Sequence, residues 1–255
     1  MRILAIDMGN TRLKWACSQR GDQSGVWLQQ GAISIQELAG LTAQWQGLPS
    51  IDQVVVANVA GGARRAELAG YLAGFACTPW WVQSQNIQCG VRNAYLEPSS
   101  LGVDRWAALI GARQLCRQAC LVVNVGTTMT VDALLANGDF IGGCIVPGPR
   151  LMRDVLDRDT AQLSARDGTW QAFPTSTGDA IWSGVVNALV GAVQVMVQQL
   201  QGQLVSTGAS PAVQIVLAGG AASWVLGPLE TLAPVIVSEP LVLLGLTQMA
   251  FERTN

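Results

Sequence analysis

Near its N-terminus the chain has the sequence Ile3-Leu4-Ala5-Ile6-Asp7-Met8-Gly9-Asn10-Thr11-Arg12-Leu13-Lys14-Trp15. The apolar run before Asp7 predicts a buried strand, and the alternation of Leu13 with Trp15 predicts a second strand. The turn between them presents backbone N–H groups with little side chain in the way, which is a concavity suited to phosphate oxygens. Asp7 beside the turn could hold a magnesium ion, directly or through water. An ordinary hairpin next to an acid would give the same pattern, because short motifs have many false positives.

The composition describes a chain with a large apolar core. Half of the 255 residues are hydrophobic and 13% are charged, which argues against disorder. The net charge is −2 and no basic stripe is present, so binding of a nucleic acid through phosphate neutralisation is not expected. The chain has no histidine, which excludes His-based triads, His zinc ligands and His general bases. Proton transfer then falls to Asp, Glu, Lys, Tyr or Cys.

Cysteine usage and hydropathy indicate a cytoplasmic protein. The six cysteines lie in apolar surroundings and form no C-x-x-C pair, so we expect small buried side chains in a reducing compartment. The N-terminus lacks the apolar core and cleavage site of a signal peptide. The most apolar windows, 185–200 and 225–246, contain polar residues or prolines, so no membrane span is predicted. The cysteines are Cys17, Cys77, Cys89, Cys116, Cys120 and Cys144.

Strand and helix patterns alternate along the chain, which predicts an α/β protein. The pattern predicts a helix over 35–45 and a polar loop over 83–99, followed by a helix that contains Asp104 and Arg105. Late in the chain, the segment Ser176–Asp179 opens a long predicted helix.

The opening pattern recurs in the second half as Leu121-Val122-Val123-Asn124-Val125-Gly126-Thr127-Thr128-Met129-Thr130-Val131-Asp132. An offset of 117 residues places Asp7 on Asn124 and Gly9 on Gly126. Two copies of strand, small polar turn and strand predict two similar domains, 1–117 and 118–255. Two such turns that face each other would grip a polyphosphate from both sides. A Gly-Thr-Thr hairpin turn is also common without a ligand.

Motifs at fixed order connect the chain to a known family. The D-x-G-N-T turn is followed by Gly102-Val103-Asp104-Arg105, then by the hairpin from Gly126 to Asp132, then by Thr177-Gly178-Asp179-Ala180-Ile181. In this order and at this length, the chain resembles the type III pantothenate kinases, of the acetate kinase, sugar kinase, Hsc70 and actin superfamily. The resemblance spans nearly the whole chain. The same family includes proteins called Bvg accessory factors.

The resemblance implies a fold and a reaction. The fold would be two similar actin-like (ribonuclease H-like) domains, each a mixed sheet flanked by helices, with the active-site cleft between them. The reaction would convert ATP and pantothenate into ADP and 4′-phosphopantothenate, the first step of coenzyme A biosynthesis. A homodimer with the pantothenate site at the subunit interface is also implied. The alternatives are a regulatory or accessory protein that retains the fold, and a kinase for another small hydroxylated metabolite.

The resemblance further implies roles for residues of the first half. Asp104 would be the general base that takes a proton from the primary hydroxyl of pantothenate, and Arg105 would pair with the substrate carboxylate or a phosphate. Tyr95, Gly102 and Val103 would also contact the substrate. Asp7 would position the magnesium ion bound to the phosphates of ATP. The implied ATP-binding set of this half is Asp7, Met8, Gly9, Asn10, Thr11, Arg12, Leu13 and Lys14.

Structural roles are the alternative explanation of some of these residues. Asp104 would then be a first-turn helix acid favoured by the helix dipole. Arg105 would belong to a surface ion pair, and Tyr95 would serve packing.

In the second half, Thr127 resembles the ATP-contacting threonine and Thr177 the substrate-contacting threonine. A capping box of Ser176 and Asp179 would explain the latter segment without any ligand. A glycine pair, Gly219-Gly220, resembles the nucleotide-side glycines of the family, although a strand-to-helix turn would also use it.

One position departs from the family pattern. Asn124 stands where the family usually has an Asp that is associated with a monovalent cation, potassium or ammonium. Because Asn is neutral and offers only a carbonyl oxygen, we expect weakened or absent dependence on potassium.

Overall fold

The computed structural model describes residues 1–21, 26–160 and 167–253. Contacts group the chain into two compact units. Unit 1 comprises Met1–Leu115, Gly138–Phe140 and Pro240–Asn255, and unit 2 comprises Cys116–Asn137 and Ile141–Glu239. The grouping differs from the ranges 1–117 and 118–255 chiefly at the C-terminus, because the last helix packs within unit 1.

Strands and helices alternate along the chain. Residues 1–115 form β1 (Arg2–Met8), β2 (Arg12–Gln19), β3 (Gln29–Ser34), α1 (Leu41–Gln44), β4 (Gln53–Asn58), α2 (Gly62–Leu72), β5 (Trp80–Trp81), β6 (Ile87–Gln88), β7 (Val91–Asn93) and α3 (Val103–Leu115). The remainder forms β8 (Cys120–Val125), β9 (Thr128–Leu134), β10 (Asp139–Pro147), α4 (Pro149–Asp159), α5 (Thr177–Ser206), β11 (Gln214–Ala218), α6 (Leu226–Glu230), β12 (Val235–Val237) and α7 (Leu241–Arg253).

Each unit contains a mixed sheet with the same strand order. In unit 1 the order is β3-β2-β1-β4-β5, with β1, β2 and β3 antiparallel and β4 and β5 parallel to β1. The second sheet has seven strands in the order β12-β11-β8-β9-β10-β7-β6. Five of them, β10-β9-β8-β11-β12, repeat the order of the first sheet, with β9 antiparallel to β8, and β11 and β12 parallel to it. The predicted α/β fold of two similar domains is therefore confirmed.

The two hairpins match up to their turns and then differ by one residue. Asp7 pairs with Lys14, and Asn124 pairs with Thr130. The first turn closes from the Gly9 N–H to the Arg12 carbonyl, at 3.1 Å, whereas the second closes from Gly126 to Thr128, at 2.9 Å. The constant offset predicted from the sequence thus holds along the first strand but not beyond the turn, because the second turn is one residue shorter.

Two local predictions differ from the structure. The predicted helix over 35–45 is a 3-10 turn at Leu38–Gly40 followed by the four-residue α1. Its apolar side chains are nevertheless buried in the core of unit 1, so the spacing identified the buried face but not the helix length. The predicted loop over 83–99 contains the short hairpin β6–β7, whose strands are too short for an alternating pattern to be visible.

None of the six cysteines, all of which lie among the described residues, forms a disulfide. Burial was predicted for the whole set, but only Cys17, Cys116 and Cys120 are buried, and Cys77, Cys89 and Cys144 are partly exposed.

Helix α5 is the long apolar helix of unit 2. By length and composition alone it could cross a membrane, with a mean hydropathy of 1.7 in its most apolar window. Nine of its residues are buried, and most of them belong to the core that includes β8, β9 and β11. This burial accounts for its apolar composition as that of a core helix.

Helices α3 and α7 of unit 1 pack at very close range through glycines. A Cβ on Gly245 would overlap the carbonyl oxygen of Ala107, and a Cβ on Gly111 would overlap that of Leu241. The C-terminal end of α7 also holds the β6–β7 hairpin, because the Glu252 carboxylate accepts from the Cys89 N–H at 3.0 Å. Helix α7 therefore fixes the position of α3, which begins at the predicted catalytic motif.

We predict that Gly245→Ala destabilises the protein by about 1–3 kcal/mol, because the added methyl group forces α3 and α7 apart. Gly70→Ala is the matched control, since it also lies in a helix of unit 1 but has open space around the new Cβ. That variant should be neutral or more stable by up to about 1 kcal/mol. Urea unfolding of both variants measures the difference, and equal stability of the two would contradict the packing argument.

Candidate active site

The first phosphate-type turn lies at the end of β1. Its backbone is drawn tight by the Gly9–Arg12 hydrogen bond, and a Cβ on Gly9 would stand only 3.2 Å from the Arg12 carbonyl oxygen. The side chains of Met8 and Leu13 are fully buried in unit 1. Any contact that these two residues make with a nucleotide must therefore come from their backbone. The polar members of the predicted ATP-binding set lie at the surface of the turn or partly exposed beside it.

The carboxylate of Asp7 sits in an unfavourable place for a charge. Its pKa is raised to about 7, first by burial and then by the charge of Asp104, while Lys14 across the hairpin acts in the opposite direction. Asp7 and Asp104 come from separate elements, the end of β1 and the start of α3, yet lie close enough to repel each other. A site of this kind favours a bound cation or a proton over two bare carboxylates.

Gly102 makes room for the carboxylate of Asp104. A Cβ at position 102 would lie 2.7 Å from Asp104 Oδ1. The same oxygen accepts a hydrogen bond of 2.8 Å from the Arg105 N–H in the first turn of α3. Burial raises the pKa of Asp104, while the N–H and the charge of Arg105 oppose the increase. The helix-dipole explanation and the functional explanation are both compatible with this geometry.

Arg105 is buried, with 6% of its surface exposed, so its interpretation as a member of a surface ion pair is wrong. Its guanidinium donates to the Tyr95 hydroxyl at 2.8 Å. It also lies over the rings of Tyr95 and Phe140, at 5.6 and 6.0 Å from their centroids. A guanidinium held against a pair of contacting rings and a hydroxyl keeps one orientation and needs little reorganisation to bind an anion.

Tyr95 has both the packing role and a polar contact. Its ring lies 5.5 Å from that of Phe140, and its N–H donates to Asn93 Oδ1 at 3.1 Å. Asn93 is buried and also donates to the Pro98 carbonyl, which holds the loop that presents Tyr95. Phe140 and Asn93 were not singled out from the sequence. Phe140 is distant from Arg105 along the chain, so no local motif reveals it.

The second turn is surrounded by glycines of unit 2. A Cβ on Gly219, whose φ is +100°, would overlap the Val125 carbonyl and stand 2.6 Å from Asn124 Oδ1. Gly148 packs in the same way against the carbonyls of Gly126 and Thr127, and its N–H donates to Thr127 at 2.9 Å. Asn124, Thr127 and the predicted nucleotide-side Gly219 are therefore neighbours. Gly148 lies within a Pro-Gly-Pro run, and that run is the sequence signal that could have identified it.

Thr177 is the first residue of α5, and its side chain is exposed. The predicted capping box is confirmed by the 3.2 Å bond from the Asp179 N–H to Ser176 Oγ. Unit 1 thus holds Asp7, Tyr95, Gly102, Asp104 and Arg105. Unit 2 holds Asn124, Thr127 and Thr177.

The described residues contain no group of three or more His, Cys, Asp or Glu side chains with the arrangement of a metal site. A metal ion at Asp7 would therefore need further ligands from its substrate or from water.

The duplicated strand order, with a phosphate-type turn after the first strand of each copy, is the fold of the actin-like kinases and sugar kinases. A solved protein from Campylobacter jejuni, described as a Baf family transcriptional activator, has this fold with a TM-score of 0.61, 17% identity and 99% coverage of both chains. At that identity the likeness concerns the fold alone.

Sequence comparison identifies the family. The type III pantothenate kinase model matches residues 3–199. A type III pantothenate kinase of Aromatoleum aromaticum is 44% identical, with 98% of each chain covered. Another, of Nitrosospira multiformis, is 41% identical over 99% of this chain and 92% of its own length. The chain belongs to the type III pantothenate kinase family, as the motifs indicated.

We predict that Asp7→Asn changes the pH dependence of stability. Because the pKa of Asp7 is raised in the folded state, this carboxyl favours folding at low pH and loses that contribution as the pH rises through about 7. The melting temperature of Asp7→Asn relative to the unsubstituted protein should therefore be higher at about pH 8 than at about pH 5. Differential scanning calorimetry without nucleotide or magnesium measures this.

Glu37→Gln is the control for that experiment, because Glu37 is an exposed acid of the same unit. Its difference from the unsubstituted protein should be the same at both pH values. If the difference in melting temperature between Asp7→Asn and the unsubstituted protein is the same at both pH values, the pKa of Asp7 is not raised by folding.

Proposed function

We propose that the protein transfers the γ-phosphoryl group of ATP to the primary hydroxyl of pantothenate, giving 4′-phosphopantothenate and ADP. The observation on which this rests is the pair of desolvated acids, Asp7 and Asp104, beside a phosphate-type turn and a fixed Arg105. The named activity of relatives that match nearly the whole chain supports it. Retention of both acids favours an enzyme over an accessory protein with the same fold, because an accessory role would not require two carboxylates whose burial lowers the stability of the fold.

Asp7 is suited to a magnesium ion that is also held by the nucleotide phosphates. Lys14 offsets only part of the cost of burying its carboxylate, and the nearby Asp104 makes a cation more favourable still. Magnesium in such enzymes is held by one or two carboxylates together with substrate phosphates. When bound, the ion would neutralise charge on the phosphates. The N–H groups of the Gly9 turn would position the phosphate oxygens.

Asp104 is the proposed general base. Its raised pKa makes the carboxylate a better proton acceptor than an exposed Asp. Asp104 takes the hydroxyl proton as the hydroxyl oxygen forms its bond to the γ-phosphorus. The bond from the γ-phosphorus to the bridging oxygen breaks, and ADP leaves with the electron pair. Gly102 protects this arrangement, because any side chain there would press on Asp104.

Arg105 and Tyr95 are proposed to bind the carboxylate of pantothenate. The guanidinium is held by the Tyr95 hydroxyl and by two rings, so the substrate gains a fixed cationic partner. Thr177 is proposed to contact the same substrate, and Thr127 the phosphates of ATP. A kinase for another small hydroxylated metabolite is the second candidate, and acceptor competition in an ADP-release assay would distinguish it.

The assembly proposed is a cytoplasmic homodimer. Exposed apolar side chains on β10 and α4 supply a surface that a second copy could cover. These are Ile141, Ile145, Leu151 and Val155.

We predict that Asp104→Asn lowers kcat by about 10²- to 10⁴-fold, the usual contribution of a general base. The affinity for ATP should be preserved, because the phosphate turn is untouched. A coupled ADP-release assay with pantothenate and isothermal titration with ATP measure the two quantities. Glu37→Gln, which changes an exposed acid of unit 1 away from the proposed dimer surface, is the control and should be fully active. Turnover that survives Asp104→Asn would refute the assignment of the base.

We propose that Asn124 removes the need for a monovalent cation, and we predict that Asn124→Asp restores it. The amide has no negative charge to attract potassium, whereas a carboxylate beside Gly219 would. Activity of the unsubstituted protein should change little when potassium is replaced by sodium or choline at equal ionic strength, and that of Asn124→Asp should fall. If the unsubstituted protein rises steeply from zero activity as potassium is added, the proposal is wrong.

A further inference from the structure

The N-terminal half of helix α5 has a polar stripe. Asp179, Ser183 and Asn187 recur at intervals of four residues, so they lie on one face of its N-terminal half. The segment Gly168–Gln171, here called the strap, lies along this face. Ser183 is only 2% exposed although it is polar, which indicates that the strap covers it.

Four hydrogen bonds join the strap to the stripe. Thr169 Oγ1 donates to Asp179 Oδ1 at 3.3 Å. The Thr169 N–H donates to Asp179 Oδ1 at 2.8 Å. The Gln171 N–H donates to Ser183 Oγ at 2.9 Å, and Trp170 Nε1 donates to Asn187 Oδ1 at 3.1 Å. Each polar residue of the stripe thus accepts a hydrogen bond from the strap, and two of these bonds satisfy backbone N–H groups.

The strap approaches α5 most closely beside Thr177. A Cβ on Gly168 would overlap the carbonyl oxygen of Gly178 and would stand 3.0 Å from the Asp179 nitrogen. Backbone therefore lies against backbone at the peptide between Gly178 and Asp179, one residue beyond Thr177. Only glycine leaves the space for this contact.

Asp179 connects both sides of Thr177. Its Oδ1 accepts from Thr169 of the strap, and its Oδ2 accepts from Ser176 Oγ at 2.8 Å. These bonds, first that from the Thr169 backbone and then that from Ser176, hold the pKa of Asp179 below its ordinary value. Thr177 lies between the two anchored segments. Among the described residues, no hydrogen bond engages its hydroxyl, so the hydroxyl is available while its backbone is held.

We propose that Asp179 is a positioning residue for the acceptor substrate: it clamps the first turn of α5 to the strap and thereby fixes the direction of the Thr177 hydroxyl. The inference rests on the proposed function, because it requires Thr177 to contact pantothenate. Displacement of a substrate-positioning group by about 1 Å is enough to weaken its contact severely. The clamp should affect acceptor binding more than it affects ATP binding.

The test is Asp179→Ala in the unsubstituted background. Loss of the hydrogen bonds that Asp179 accepts from Thr169 and Ser176 should raise KM for pantothenate about tenfold, which corresponds to about 1.4 kcal/mol. We expect kcat and KM for ATP to change little. Asp179→Asn should stay close to the unsubstituted protein, because the amide oxygen still accepts from Thr169 and the amide nitrogen can donate to Ser176 Oγ.

Asn187→Ala is the matched control. It removes the bond between the same strap and the same helix face, two turns away from Thr177. If the strap had a structural role only, Asp179→Ala and Asn187→Ala would behave alike. Both would lower the melting temperature and change KM for pantothenate to a similar extent. The positioning role instead requires that Asn187→Ala leaves KM for pantothenate unchanged.

A double-mutant cycle with Thr177→Ala decides whether Asp179 acts through Thr177. If it does, the double variant has the same KM for pantothenate as Thr177→Ala alone. Additive effects on KM would overturn the inference, as would an unchanged KM in Asp179→Ala. If the unsubstituted protein does not phosphorylate pantothenate at all, the proposed function fails and this inference fails with it. Normal turnover with unaltered KM in Asp179→Ala would contradict this inference alone.

Discussion

The close placement of two desolvated carboxylates is the constraint on which the rest of unit 1 depends. Burial raises the pKa of both Asp7, at the end of β1, and Asp104, at the start of α3, and the charge of Asp104 raises that of Asp7 further. A fold keeps such a pair only if neighbouring elements leave it no freedom to move apart. The glycine contact between α3 and α7 supplies that rigidity, because the helices approach until backbone meets backbone. A bound cation would offset the electrostatic cost of keeping the two carboxylates close together.

The duplicated hairpin shows how one structural unit serves two purposes. Both copies have the same strand order, and in both the last residue but one of the first strand is polar. In the first copy this residue is the strained Asp7, whereas in the second it is the neutral Asn124, packed against Gly219. The second turn is also one residue shorter. The two turns therefore share a backbone plan while their electrostatic properties differ, which agrees with a magnesium role for one turn only.

Much of the candidate site was predictable because it is encoded in short local motifs. The turn at Gly9, the Asp104-Arg105 pair and the capping box at Ser176 each lie within a few residues, and the structure has them as predicted. The partners of these residues were not predictable. Phe140 lies near Arg105 because β10 pairs with β7. Glycine is needed at position 102 because the Asp104 carboxylate lies against it. Glycine is needed at position 168 because the strap packs against the backbone of α5 there.

By itself, the sequence determined the α/β class, the duplication, the family and the identity of the acids, because hydrophobic period and turn chemistry act over a few residues. Only the tertiary structure decided that Asp7 and Asp104 repel each other, that Arg105 is buried against two rings, and that α7 packs with unit 1 although it ends the chain. Those outcomes depend on contacts between residues far apart in sequence. Such contacts are set by packing of whole elements, and no local pattern records them.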